Sequence, residues 1–212
     1  HLLLYAAARA LREGFAVACV ETDPNERPFH KPKRLYHYLA QSLVYLSADS
    51  AQPKRFREFL KDCVSRDPAA LSEHEYFRIL LRHRGDRAVW EWLEGADVGS
   101  RPEGYRDGGY WIYGRLPGLY DFSTAANIYC HLLSSLGWLA VNVLGLRGLL
   151  LIFDEAESVD IRTTRYRYDK AANFLKGLIR TASDDEDLLL EPSLFSELDY
   201  CGWGEEVPYL YD

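Results

Sequence analysis

Methionine is absent from all 212 residues, position 1 included. A chain of this size ordinarily holds several, so the sequence is expected to be a processed or incompletely represented form in which some spacings run short by a residue. Long apolar runs are also lacking: none approaches the roughly 18 to 20 residues of a membrane span. No charged, apolar and small-residue signal opens the chain either. These absences lead to the expectation of a soluble, cytoplasmic protein with no membrane partner. Cysteine is sparse, and Cys19, Cys63, Cys130 and Cys201 lie far apart with no CxxC pair. That excludes the common zinc spacings and leaves buried, reduced thiols as the expectation. A GxSxG nucleophile elbow is missing. So is a GxxxxGK[ST] phosphate loop.

Basic residues are lacking from one region. Between Thr181 and Asp212 there are ten acids and no Lys or Arg. With a net charge of -7 for the whole chain, the first 180 residues therefore carry +3. Between His30 and Arg87 twelve Lys or Arg face seven Asp or Glu. So mild an excess fits the solvated faces of several helices better than a nucleic-acid footprint.

What is present reads as an α/β chain with a helical middle. The opening "HLLLYAAARALREG" is made of good helix formers and closes at Gly14. Its apolar residues cover most of the circumference, which predicts a buried helix. "FAVACVETD" then reads as a buried strand. Helix, glycine and strand over residues 1–32 form the second half of an α/β unit. Residues 33–145 read as a mainly helical insertion. "KRLYHYLAQSLVYL" puts Leu35, Tyr38, Leu39, Leu43 and Leu46 on one helical face. "PKRFREFLKDCV" does the same with Phe56, Phe59, Leu60 and Val64. "SEHEYFRILLRHRG" is expected to start at a Ser72 to Glu75 capping box and to stop near Gly85. "DRAVWEWLEG" reads as a short helix ending at Gly95, and residues 96–121, rich in glycine and tyrosine, as loop. A long apolar helix runs from near Ser123 or Thr124 to Gly145. Residues 146–180 hold a strand and a further helix, and residues 181–212 are acidic and irregular. With only two clear strands, both of the buried parallel type, the sheet is expected to be incomplete within these residues.

The second strand carries the chemistry. "LRGLLLIFDEAES" runs five apolar residues, Leu149 to Phe153, straight into Asp154 and Glu155. In ATPases such a strand delivers one carboxylate to Mg²⁺ and a second that orients or deprotonates the water attacking the γ-phosphate. Adjacent residues on an extended chain point opposite ways, so the strand must turn for both to face one site. Ala156 and Glu157 are expected to begin that turn. An ordinary strand-to-helix turn with a capping Asp has the same local composition.

The combination of "REGFAVACVETDPNERPFHKPKRLYHYLAQSL", "WEWLEG", "STAANIYCHLLSSLGWLAVNVLGLRGLLLIFDEAESVD" and "VPYLY" resembles the P-loop ATP-binding proteins of BREX phage-defence systems, over nearly the whole chain. Its most specific part is "LRGLLLIFDEAE". In that family a GxGKS/T loop directly precedes a helix like "HLLLYAAARALREGF". The resemblance implies a P-loop NTPase of the AAA-like, additional-strand class, with a parallel sheet and a large helical insertion. It implies ATP and Mg²⁺ as cofactors, Asp154 as the metal ligand and Glu155 as the catalytic residue. Without the phosphate-binding lysine, these 212 residues alone should bind ATP weakly or not at all. The implied partners are other subunits of a defence complex or further copies of the chain, with DNA a further candidate. The alternative is a non-hydrolysing scaffold or nucleotide-sensing module that binds protein or DNA.

"DEAE" is also motif II of helicases, but these residues have no room for the second domain a helicase needs. "RTTRYRYDK" interleaves Arg162, Arg165, Arg167 and Lys170 with Tyr166 and Tyr168, which would suit nucleic acid. A helix with one solvated basic face is the favoured reading. His30, His37, His74 and His83 are expected at the surface or at interfaces, not around a metal.

Overall fold

The computed structural model describes residues 2–47, 50, 52–96, 118–119, 121, 125–156, 164–183, 208 and 210–211. The expected loop over 96–121, the acidic segment after Ser183 and Cys201 fall almost entirely outside them. Helix α1 (Leu2–Arg12) leads into strand β1 (Ala16–Glu21), and α2 (Pro32–Ser42) follows. Two short strands, β2 (Val44–Tyr45) and β3 (Lys54–Arg55), precede α3 (Phe56–Arg66) and α4 (Ala69–Ser72). A 3-10 turn at Phe77–Leu81 and α5 (Arg87–Leu93) come next, then the long α6 (Ala126–Asn142), β4 (Leu149–Asp154) and α7 (Arg165–Ala182).

The chain is thus α/β, as its sequence indicates, but the sheet is mixed. Its four strands run in the order β3-β2-β1-β4. Only β1 and β4 are parallel, in register from Ala16 with Leu149 to Glu21 with Asp154. β2 pairs antiparallel with both of its neighbours. The expectation of a wholly parallel sheet fails because the helical run from Lys33 stops at Ser42. Val44, stiff at χ1 and suited to a pleated surface, then turns back along β1 opposite Val17.

β4 is not buried on both faces as expected. Only Ile152 is buried there, because β4 is the edge strand among the described residues. The Gly148 and Asp154 carbonyls accept from Ala16 N and Thr22 N, both at 2.9 Å. Even-numbered residues therefore face β1, and Leu149, Leu151 and Phe153 turn their backbone groups to the open edge. An apolar groove of about 640 Å³ runs beside them, walled by Trp138 and Val141 of α6 and Leu175 and Ile179 of α7.

Helix α6 is buried along most of its length, from Ala126 to Ala140. It packs on α2, α7 and β4, and with β1 it forms the centre of the core. The four residues expected on the apolar face of α3 are all buried: Phe56, Phe59, Leu60 and Val64. Helix α1 departs from expectation. It rests on β1 and β4, but Leu2 and Leu4 stay 78% and 69% exposed, since no described element covers its outer side.

Ser72 closes α4 instead of opening a helix, and its hydroxyl donates to Ala69 O at 2.7 Å. Helix α5 behaves as read: Asp86 accepts from Ala88 N, and Gly95 ends it in a left-handed conformation at φ 69°. A Cβ at Gly95 would meet Tyr36 Cδ1 at 3.0 Å. Tyr36 is fully buried, and its hydroxyl donates to Leu93 O at 2.8 Å, so the ring has little freedom to move. Gly95→Ala combines the left-handed penalty with overpacking, and a loss of about 2 to 4 kcal/mol is expected in urea unfolding. An unchanged midpoint would contradict this packing.

Candidate functional site

The parallel pair sets the site. β1 and β4 end side by side, with Glu21 opposite Asp154, and the carboxyl ends of parallel strands are where open α/β sheets bind ligands. Both Asp154 and Glu155 are exposed at this end. The chain turns there, one residue earlier than the Ala156 to Glu157 position expected. Glu155 has φ 56°, the left-handed region, and it is the single non-glycine residue of that kind among the described residues. Such a conformation costs about 1 to 2 kcal/mol and must be held by its surroundings.

Thr22, the residue after β1, holds it. Its amide donates to Asp154 O at 2.9 Å, carrying the parallel ladder one step past the strand. Its hydroxyl is shared between Asp154 O at 3.0 Å and Glu155 O at 2.7 Å. The Asp154 carboxylate in turn accepts from Glu155 N at 3.0 Å. Thr22 was not singled out by sequence reasoning; the one trace of it is a hydroxyl residue directly after the buried run "AVACVE".

The neighbouring acid Asp23 has a different duty. It accepts from the amides of Asn25 and Glu26, each at 2.8 Å, and these bonds hold its carboxyl below the usual range. Phe29 meets Phe153 with ring centroids 5.2 Å apart, which anchors the segment after β1 beside the end of β4. Burial lowers the pKa of His30, and the charges of Arg167, Lys31 and Arg34 lower it further. Basic groups from α2 and α7 therefore gather one residue from the aromatic pair. Within the basic and aromatic segment, Arg165 and Arg167 are exposed but Lys170 is buried, its ammonium 5.6 Å from the Tyr166 ring. Within this segment the solvated basic residues are thus Arg165 and Arg167, in the first turn of α7. Arg162 lies outside the described residues.

No three His, Cys, Asp or Glu side chains come together as a metal cage among the described residues. Asp154 offers a single open carboxylate. Cys63 and Cys130 are buried free thiols as read from the sequence, and Cys19 is half-buried and free.

A second polar cluster lies in the core, where sequence reasoning placed no site. His74, expected at the surface or at an interface, is 2% exposed and stacks on Phe77 with centroids 4.2 Å apart. His131 of α6 lies beside it. His74 Nδ1 accepts from Tyr76 N and Phe77 N, both at 3.1 Å, so its proton resides on Nε2. Nε2 donates to Ser135 Oγ at 2.7 Å, and that hydroxyl donates to His131 O at 2.6 Å. A serine receiving a proton from histidine is not activated as a nucleophile. The cluster is therefore structural. Burial, the neighbouring His131 and Arg78 push His74 down to about 3. Burial brings His131 to about 4 against the opposing carbonyls of Pro208 and Leu210.

The fold and site define an α/β protein whose parallel strand pair ends in an exposed, left-handed Asp-Glu turn. No family model, curated protein or solved structure matches the chain.

Proposed function

We propose that the end of β4 is the Walker B half of a P-loop ATPase site, in a protein of the kind found in BREX phage-defence assemblies. One observation carries this reading. The strand turns left-handed directly after Asp154, so two consecutive carboxylates are exposed together at the carboxyl end of a parallel pair. An ordinary capping turn has no need of strain at the second acid.

Asp154 would hold Mg²⁺, directly or through water. The metal keeps several waters and takes only one or two carboxylates besides phosphate oxygens, so a lone open carboxylate fits it. Held there with nucleotide, Mg²⁺ would supply charge neutralisation at the phosphates. Glu155 would orient the attacking water and accept its proton. The edge of β4 that is open among the described residues leaves the place that further strands of such a sheet would take. The exposed apolar side of α1 likewise leaves a surface for the rest of the nucleotide-binding unit. Other subunits or further copies of the chain would receive the resulting conformational change, and Arg165 and Arg167 are the residues available to DNA.

The test is Mg²⁺-dependent ATP turnover by the full-length polypeptide. Turnover that vanishes with EDTA is expected. No turnover with Mg²⁺, DNA and partner proteins present would replace this reading with the non-hydrolysing scaffold.

A further inference from the structure

We propose that Thr22 is a positioning residue for Glu155, an inference that rests on the ATPase reading of the site. In an extended strand successive carbonyls point to opposite sides and cannot share one donor. Here the Asp154 and Glu155 carbonyls converge on the single Thr22 hydroxyl, at 3.0 and 2.7 Å. They converge because Glu155 is left-handed. The shared hydrogen bond and the strained backbone are thus one device, and the backbone of Glu155 fixes where its side chain leaves the chain.

Thr22 is well placed for this task. Its side chain is buried, 4% exposed, so water competes poorly for the hydroxyl. Its χ1 is restricted by β-branching, which keeps the hydroxyl aimed. Its own amide is tied to Asp154 O at 2.9 Å, so hydroxyl and turn move as a unit with β1. Thr22 acts on the reaction only through Glu155, and its loss should leave nucleotide binding intact. A general base displaced by about 1 Å loses rate on the order of 10².

The experiment measures kcat and KM for ATP in the full-length polypeptide carrying Thr22→Val, Thr22→Ser or Glu155→Gln. Thr22→Val keeps the shape and removes the hydroxyl; a fall in kcat of about 10- to 100-fold is expected, with KM within about twofold. Thr22→Ser restores the hydroxyl and is expected to recover most of kcat. Thr22→Ala, which adds no bulk to the buried position, takes the place of the valine variant if that one does not fold. Wild-type kcat in a folded Thr22→Val or Thr22→Ala, beside an inactive Glu155→Gln, overturns this inference and leaves the ATPase reading standing. A rise in KM at constant kcat overturns it as well. An inactive wild type overturns both.

Discussion

Glu155→Gln is expected to lower ATP turnover by about 100-fold or more while leaving Mg²⁺-dependent ATP binding within a few-fold of wild type. The magnitude is that of removing a positioned general base. Glutamine keeps the size of the side chain and its hydrogen-bonding reach but cannot accept the proton. It is no worse than glutamate in the left-handed backbone at this position, so the fold should tolerate it. Asp154→Ala separates the two proposed roles, since it removes the proposed metal ligand and should weaken binding as well as turnover. Turnover alike in wild type and Glu155→Gln would remove Glu155 from the mechanism. Steady-state phosphate release and fluorescent nucleotide titration together distinguish the cases.

Acidification is expected to destabilise the protein from about pH 6.5 downward, before most carboxylates titrate. His74 and His131 sit at about 3 and about 4 in the folded state against an ordinary value near 6.5. A base whose folded pKa is depressed contributes its full share above the unfolded pKa and loses it as pH falls. Between pH 6.5 and 4 the unfolded chain binds protons that the folded chain refuses. The slope approaches about 3 kcal/mol per pH unit for two histidines, and the loss by pH 4 is on the order of 5 kcal/mol. That is comparable with the whole stability of many domains. Among the described residues the groups facing the pair are Arg78, Ser135, Tyr76, Phe77 and Tyr211. Urea midpoints at pH 7, 6 and 5 measure the slope; a flat profile between pH 6.5 and 5 would contradict the buried, neutral assignment.

The elements that bear the site were legible because each follows from a local rule. "FAVACVE" and "GLLLIFD" are short apolar runs bounded by polar residues, and they became the parallel pair β1 and β4. The need for a turn at the end of this strand followed from the alternation of side chains, but the turn falls at Glu155, one residue before Ala156. The errors arose where tertiary partners decide. "LAQSLVYL" keeps a helical spacing past Ser42, but Val44 and Tyr45 find a strand partner in β1, and no local pattern announces it. β4 reads as doubly buried from its five consecutive apolar residues, and no local pattern shows that its second edge is open among the described residues. The apolar residues of α1 likewise do not show that its outer side has no cover among the described elements. His74 escaped because its partners, Ser135 and His131, lie 61 and 57 residues away along the chain. Thr22 escaped because its role is to a backbone 132 residues distant.

Single-turnover cleavage of ATP by excess full-length polypeptide, wild type beside Glu155→Gln, tests the assignment of the β4 terminus most directly. The expected result is nucleotide bound by both proteins, cleaved to ADP and phosphate by the wild type and retained intact by the variant. Cleavage at the same rate in both would contradict it.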